Sequence, residues 1–216
     1  MPYTAGSRLI FRRRSPGWSY WDWLKHLGVS WNWRMVEDNH VQIGPYVLEV
    51  TPYYMELLWR EWRAWKNWYL PPWSLDGKTV LDVGAGCGET ALFYYYHGAG
   101  RVIAVEPESS LGPLLNRNME RNRWNMEIVE RPFDKSMLRW SFDFMKMDAE
   151  GCETQLLSLG SLPPCAVEVH DKATADKLQE RFEVEVLPQK ENWILRNPSE
   201  HPVISNEGSN TNHNSS

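Results

Sequence analysis

The chain has 216 residues, three cysteines and a formal net charge of −5. This length favours one domain with a decorated end, and three widely separated cysteines argue against a disulfide framework or a structural zinc site. No apolar run approaches the roughly 18 residues that span a bilayer, and the basic N-terminus lacks the apolar stretch of a secretory signal. We therefore expect a cytoplasmic protein without a membrane span.

Residues 1–75 form an aromatic zone, since ten of the thirteen tryptophans lie between Trp18 and Trp73. The zone carries nine basic and six acidic residues, which keeps a polyanionic partner possible. Residues 41–50 predict a strand pair or an extended arm. Residues 53–70 predict a helix with an aromatic stripe, which either packs on the domain core or forms a substrate lid that stacks on bases or sugars.

Residues 76–197 alternate strand and helix patterns. Strands are predicted over 79–83, 101–107, 126–130, 142–150 and 165–170, followed by a hairpin of 183–188 and 192–197. Helices are predicted over 89–100, 108–124 (with a start near Gly112), 151–159 and 172–182. About a dozen residues join the third and fourth strands, too few for a crossover helix. The pattern predicts an α/β, Rossmann-like fold with a seven-stranded, mostly parallel sheet and helices on both faces. Residues 198–216 predict a disordered polar tail.

The stretch DVGAGCGE, from Asp82 to Glu89, follows the first strand of this zone and has glycine at alternate positions. A dinucleotide loop needs a third glycine where Glu89 stands, and that carboxylate would repel a pyrophosphate. A P-loop needs a lysine that is missing here. S-adenosylmethionine has no phosphate, and Asp82 suits its ammonium group. The alternative is a glycine-rich turn that binds nothing. A bound adenosine would lie on the backbone of Gly84, Ala85, Gly86 and Gly88.

Glu106 ends the second strand, 24 residues after Asp82. A carboxylate there accepts hydrogen bonds from both ribose hydroxyls of an adenosine ligand. Together with Asp82 and the glycine loop, it resembles the class I S-adenosylmethionine-dependent methyltransferases over residues 76–197. The resemblance implies their fold and S-adenosylmethionine as cofactor, and we count Pro107 and Phe133 among the cofactor-binding residues.

A second stretch, FDFMKMDAEGCETQLLSL over residues 142–159, is similar to the fourth-strand motif of the FkbM family of methyltransferases. The following PPCAVEVH resembles the fifth strand of that family, and residues 80–109 resemble its first half. The resemblance implies O-methylation of a hydroxyl, often on a sugar or a secondary metabolite. The positions that match the motif are Lys146, Asp148, Glu150, Gly151, Glu153 and Leu157.

Methylation of a hydroxyl needs a group that accepts its proton. We predict His170, at the end of the fifth strand, as the general base, because its unperturbed pKa lies near neutrality. Asp148 is predicted to position both the cofactor and the acceptor, and Glu150 to share its side of the site. Glu153 is interpreted as a helix cap, and Glu168 as either a structural or a chemical residue.

Further alternatives concern metal and partners. A Mg²⁺ site would need three oxygen ligands to converge, and we predict no metal. The favoured acceptor is a small molecule or a glycan. RNA is the alternative, bound by basic residues and tryptophans of the first zone, and a non-catalytic cofactor-binding subunit is the third possibility. The three candidate metal ligands are Asp148, Glu150 and Asp171, and the candidate RNA-binding residues are Arg12 to Arg14, Arg60 and Arg63.

Overall fold

A computed structural model describes residues 33–37, 39–189 and 192–199 of the chain. The described residues begin with three short strands, β1 (Trp33–Glu37), β2 (His40–Ile43) and β3 (Tyr46–Glu49), which pair in that order as an antiparallel sheet. The strand pair predicted for residues 41–50 is confirmed, and the extended-arm alternative is wrong. β1 was not expected, because its sequence WRMVE is short and largely exposed except at Trp33.

Helix α1 (Pro52–Trp68) confirms the helix predicted over residues 53–70. Thr51 caps its first turn by accepting a hydrogen bond from the Tyr54 backbone amide at 3.4 Å. Pro52 occupies the start of the helix, where its fixed φ is favourable and no amide hydrogen is needed.

The main sheet contains seven strands in the order β6-β5-β4-β7-β8-β10-β9. All neighbours are parallel from β6 to β8, whereas β10 runs antiparallel to both β8 and β9. The predicted α/β fold class, with its seven-stranded and mostly parallel sheet, is therefore confirmed. The strand bounds are β4 (Thr79–Val83), β5 (Arg101–Val105), β6 (Met126–Val129), β7 (Phe144–Met147), β8 (Cys165–Val169), β9 (Glu185–Pro188) and β10 (Trp193–Asn197).

Three helices connect the strands, α2 (Glu89–Tyr96), α3 (Gly112–Asn122) and α4 (Lys172–Arg181). α3 begins at Gly112, with Pro113 in its first turn, rather than at residue 108. The connection from β6 to β7 contains only a 3₁₀ helix (Lys135–Arg139), as its length predicted. The helix expected at 151–159 is a 3₁₀ helix (Cys152–Ser158), and the predicted fourth strand is shortened to β7.

Alternate residues of each central strand face two separate cores. In β4, Val80 belongs to the core covered by α1, α2 and α3, whereas Leu81 belongs to the core on the α4 side. Trp65 and Tyr69 are buried in the first core, and Trp62 packs against it. The aromatic stripe of α1 thus covers the sheet, so the tryptophans that pack there are not available to stack on a base.

The tryptophans before Trp33, the residues Arg12 to Arg14 and most of the predicted tail lie outside the described residues. Within the described ranges, no helix is long and apolar enough to cross a membrane.

Candidate cofactor and acceptor site

The loop after β4 lies at the point where the sheet order reverses, because β4 pairs with β5 on one side and with β7 on the other. Ligands of open α/β sheets bind in the crevice at such a point. Gly84, Gly86 and Gly88 all have positive φ, at 76°, 57° and 94°. A Cβ on Gly84 would lie 1.9 Å from the backbone oxygen of Asp148, so a side chain is excluded there by contact as well as by conformation.

Asp82, in the strand before this loop, binds residues that hold the loop in place. Its side chain is fully buried and accepts a hydrogen bond of 2.6 Å from Thr90 Oγ1 at the start of α2. Its other oxygen lies 3.3 Å from Nζ of Lys146, an equally buried lysine on β7. Burial raises the pKa of Asp82, although Lys146 opposes the shift. With both oxygens engaged inside the protein, the geometry favours an indirect role for Asp82 toward a cofactor.

Lys146 connects Asp82 to the glycine loop. Its ammonium group donates to the backbone oxygens of Val83 at 3.3 Å and Gly84 at 2.8 Å. Burial opposes its charge, yet the carboxylates of Asp82, Asp148 and Glu89 hold its pKa above the ordinary value. The first residue of the KMDAEG stretch therefore fixes the loop rather than lining the crevice.

Glu106 lies directly beside the loop. Its two oxygens accept hydrogen bonds from the backbone amides of Gly86 and Glu108, both at 2.8 Å. Burial raises its pKa, and the two amides oppose this shift. Each carboxylate oxygen keeps a second lone pair for a ribose hydroxyl. This donor and acceptor arrangement fits an adenosine group on the loop.

Glu89 determines what else the loop binds. Its carboxylate folds back to accept from the Cys87 backbone amide at 3.0 Å. Burial raises the pKa of Glu89 to about 8. Because a carboxylate already occupies this loop amide, a phosphate is excluded from it, in agreement with the sequence argument. The residues present thus fit S-adenosylmethionine, which carries no phosphate.

Asn118, on α3, holds the loop from the side and was not identified from the sequence. Its side chain is fully buried. Its amide nitrogen donates to the backbone oxygens of Cys87 and Glu49, both at 2.8 Å, and its oxygen accepts from the Glu49 amide at 2.7 Å. The N-terminal sheet is thereby tied to the cofactor loop through one side chain. The signal available in the sequence was an asparagine on the apolar face of an amphipathic helix.

The remaining residues of the KMDAEG stretch form the other wall of the crevice. Asp148 follows β7 and is partly exposed, and its amide donates to the Val83 oxygen at 3.0 Å. Gly151 has a φ of 83° and starts the 3₁₀ helix, which brings Glu153 into the interior with 1% of its side chain exposed. Glu150 points to the exposed surface. Glu153 contacts His170, so its interpretation as a helix cap alone is incomplete.

His170 is surrounded by three carboxylates. Its Nδ1 lies 3.6 Å from Oε1 of Glu153, and its Nε2 lies 3.5 Å from Oδ1 of Asp148 and 4.0 Å from Oε1 of Glu168. Glu153 first, and then Asp148 and Glu168, raise the pKa of His170 to about 8 against the opposing effect of burial. The structure therefore brings together the two residues predicted at the strand ends.

Glu168 is held by two donors. The Tyr69 hydroxyl donates to Oε2 and the Asn192 amide donates to Oε1, both at 2.6 Å. Tyr69 follows α1, so this contact links the N-terminal helix to the crevice. Glu61 lies on the same helix. Burial, and then the charge of Glu168, raise the pKa of Glu61 to about 7, so its carboxyl group lies within electrostatic reach of Glu168.

The other predicted site residues take different positions. Phe133 is buried in the core on the α4 side, and Pro107 is exposed next to Glu106. Asp171 caps α4 by accepting from the Thr174 amide at 2.9 Å, so the proposed trio with Glu150 does not converge on Asp148. Ala85 is fully buried within the loop.

The start of α1 covers the loop, which the sequence did not indicate. A Cβ on Gly86 would lie 2.7 Å from Cε1 of Tyr54, so the Tyr54 ring packs directly on this glycine. Burial raises the pKa of Tyr53, and the nearby charges of Asp148 and Glu89 raise it further. The aromatic zone thus contributes to the mouth of the crevice.

Comparisons with known proteins bear on this site. No protein-family model matches the chain. The electron transfer flavoprotein beta subunit lysine methyltransferase of Homo sapiens is 36% identical over 73 residues, which are 33% of this chain and 28% of that protein. Uncharacterized protein 65 of Sulfolobus islandicus filamentous virus is 28% identical over 122 residues, which are 51% of this chain and 68% of its relative.

Among solved structures, a protein crystallised with S-adenosylhomocysteine (SAH) has a TM-score of 0.49 and 12% identity, over 77% of this chain and 56% of that one. The strand order is set by the pairings of this chain itself, and the glycine loop with Glu106 fits an adenosine group. The FkbM family itself is not shown by any match.

Proposed function

We propose that this protein is an S-adenosylmethionine-dependent methyltransferase that methylates a hydroxyl of a small molecule or a glycan. The observation that carries the proposal is the placement of two residue groups at the carboxyl ends of the neighbouring strands β5, β4, β7 and β8. One group is the loop with Glu106, which fits an adenosine, and the other is the cluster of Asp148, Glu168 and His170 at the ends of β7 and β8. The similarity to the FkbM family rests on the stretch from Lys146 to Leu157 and is part of the proposal.

The residues that would hold the cofactor are Glu106, through the ribose, and the backbone of Gly84 to Gly88. When bound, S-adenosylmethionine supplies a methyl group on a positively charged sulfur. The contribution of the protein is mainly alignment, because well-oriented reactants gain up to about 7–11 kcal/mol. The partly exposed carboxylate of Asp148 is placed to orient the acceptor.

For a hydroxyl acceptor, the neutral form of His170 accepts the proton, and this form prevails above its raised pKa of about 8. Its Nε2 faces Asp148 and Glu168, whereas Glu153 holds the ring from the Nδ1 side. This is the logic of a base that is oriented by a third group. Tyr53, Tyr69 and Glu61 bring the N-terminal helix to the same opening, which makes the aromatic zone part of acceptor selection.

The RNA alternative receives less support. Trp65 of α1 is buried, Arg60 contacts Glu56 at 3.3 Å, and the acceptor side of the crevice is acidic, which repels phosphates. Titration with total RNA at low and at high salt tests it directly, because phosphate contacts make the affinity fall steeply with salt.

The cofactor half of the proposal is tested by calorimetry with SAH. The wild-type chain is expected to bind it, and Glu106→Gln to weaken binding at least tenfold. Glu108→Gln is the matched control, because that carboxylate is exposed and accepts a hydrogen bond from the Ser110 amide in its own turn. Equal affinities of the two variants would contradict the role of Glu106.

The acceptor half is tested by transfer of a labelled methyl group to fractions of a cell extract. We expect label in small molecules or glycans, and none with the Glu106→Gln variant. Label in RNA or in protein lysines would contradict the proposed acceptor and identify RNA or protein as the acceptor instead. SAH binding without transfer to any fraction would favour the non-catalytic subunit.

A further inference from the structure

Three side chains at the ends of β7 and β8 present ligand atoms to one point. These atoms, one from each of Asp148, Glu168 and His170, all lie within 4.8 Å of one another. An ion with bonds of about 2.0–2.2 Å separates its ligand atoms by roughly 3–4.3 Å. The distances from His170 Nε2, 3.5 Å to Asp148 and 4.0 Å to Glu168, already lie in that interval.

The groups behind these atoms are arranged as they are around bound metals. A histidine ligand generally has a carboxylate or carbonyl at its other ring nitrogen, which fixes the ring orientation. Here Glu153 takes that position, 3.6 Å from Nδ1 and with 1% of its side chain exposed. Among the described residues, its second oxygen, Oε2, is buried without a hydrogen-bond partner, so part of this carboxylate next to His170 is uncompensated.

The carboxylate of Glu168 is oriented in the same way. The Tyr69 hydroxyl and the Asn192 amide each donate to one of its oxygens at 2.6 Å, which leaves the remaining lone pairs for a further partner. Hydrogen-bonded carboxylate ligands are the second recurring feature of metal sites. Three carboxylates around one imidazole also leave an excess of negative charge that a divalent ion would neutralise.

We propose that Asp148, Glu168 and His170 bind one divalent transition-metal ion in the acceptor half of the crevice. Two carboxylates and one imidazole suit Zn²⁺ or Mn²⁺ better than Ca²⁺, which takes six to eight oxygens in general. The inference rests on the proposed function and deepens it. An acceptor hydroxyl on such an ion would lose its proton to solvent water more readily, and its oxygen would then take the methyl group as S-adenosylhomocysteine leaves. His170 then acts as a ligand in place of the base, and this proposal replaces the expectation of no metal.

The test uses the full chain, freed of metals by chelation. Titration with Mn²⁺ is followed by the loss of the paramagnetic resonance signal of the free ion, and titration with Zn²⁺ by calorimetry. We expect one ion per chain. Asp148→Asn and His170→Ala are each expected to lower the affinity at least tenfold, and Glu153→Gln, which only orients the ring, about 10–100-fold.

Glu150→Gln is the matched control, since it removes one negative charge two residues from Asp148 on the exposed surface. Its metal affinity is expected to stay within twofold of the wild type. Circular dichroism and thermal unfolding confirm that each variant is folded.

Absence of a saturable Mn²⁺ or Zn²⁺ site in the wild-type chain would overturn the inference, as would equal losses in Glu150→Gln and Asp148→Asn. SAH binding measured on the same metal-free samples distinguishes a failure of the metal site from a failure of the proposed function. If SAH binds and metals do not, the proposed methyltransferase stands with His170 as base. If SAH does not bind, the proposed function itself fails.

Discussion

Asn118 and Asn122 provide a sharp test of how the cofactor loop is held. Both lie on α3, one turn apart, and both bind the backbone of β3. Asn122 accepts from the Val47 amide and donates to the Val47 oxygen, both at 2.8 Å. Asn118 does the same to Glu49, and it alone of the two also donates to the Cys87 oxygen of the loop, at 2.8 Å.

Asn118→Asp replaces the donating nitrogen with an oxygen while keeping the shape of the side chain. The backbone oxygens of Cys87 and Glu49 then lose their donor in a fully buried place. A buried acceptor left without a partner costs about 1–3 kcal/mol, so the two together lower the free energy of unfolding by about 2–6 kcal/mol. Asn122→Asp removes a matching pair of donations, to the backbone oxygens of Val47 and Asn118.

The two variants should therefore differ in cofactor binding more than in stability. We expect Asn118→Asp to weaken SAH binding at least tenfold, which is about 1.4 kcal/mol, and Asn122→Asp to change it less than threefold. Calorimetry gives the affinities and urea unfolding gives the stabilities. Equal SAH affinities for both variants would refute the argument that Asn118 positions the loop. Asn118→Ala repeats the test without an added carboxylate.

Three other predictions concern the same loop. Gly84→Ala should prevent folding or SAH binding, because its Cβ would lie 1.9 Å from the backbone oxygen of Asp148. Gly151→Ala has open space around it and should cost only about 1–2 kcal/mol of conformational strain. Equal urea midpoints for the two variants would contradict this difference. Burial raises the pKa of Glu89 from 4.5 to about 8, so the unfolded chain loses this proton first as the pH rises. The free energy of unfolding should therefore fall by about 1.4 kcal/mol per pH unit between those two pKa values. Glu89→Gln should remove that decline, as measured by unfolding from pH 5 to 9. Lys146→Met leaves the buried Asp82 carboxylate unpaired and should lower the free energy of unfolding in urea by about 3–5 kcal/mol. Adding Asp82→Asn should restore part of the lost stability. A double variant no more stable than Lys146→Met would show that the two residues are not coupled.

Much of the fold was predictable from local patterns. Short β-branched runs such as TVLDV at β4 are typical of buried parallel strands, and the helices between them imply crossovers of one hand. The short connection before β7 was also correctly predicted to lack a full helix, since its length leaves no alternative. The predicted ends of elements were less accurate, as α3 and β7 show, because capping and packing compete over one or two turns.

The chemistry of the site divides in the same way. The sequence alone identified the glycine loop and Glu106 as candidate cofactor residues, because backbone geometry and ligand chemistry restrict such positions to a few residue types within one continuous stretch. It also singled out Asp148 and His170, which end neighbouring strands. Only the tertiary structure decided that Glu153 and Glu168 surround the imidazole of His170, since they belong to separate elements.

The N-terminal zone shows the limit most clearly. Its aromatic stripe was compatible with a core face or with a stacking surface, because both need the same residues at the same helical spacing. Packing decided that Trp65 belongs to the core, that Tyr54 covers Gly86 and that Tyr69 reaches Glu168. Contacts between residues far apart in the chain depend on how whole elements are placed, and no local pattern encodes that placement.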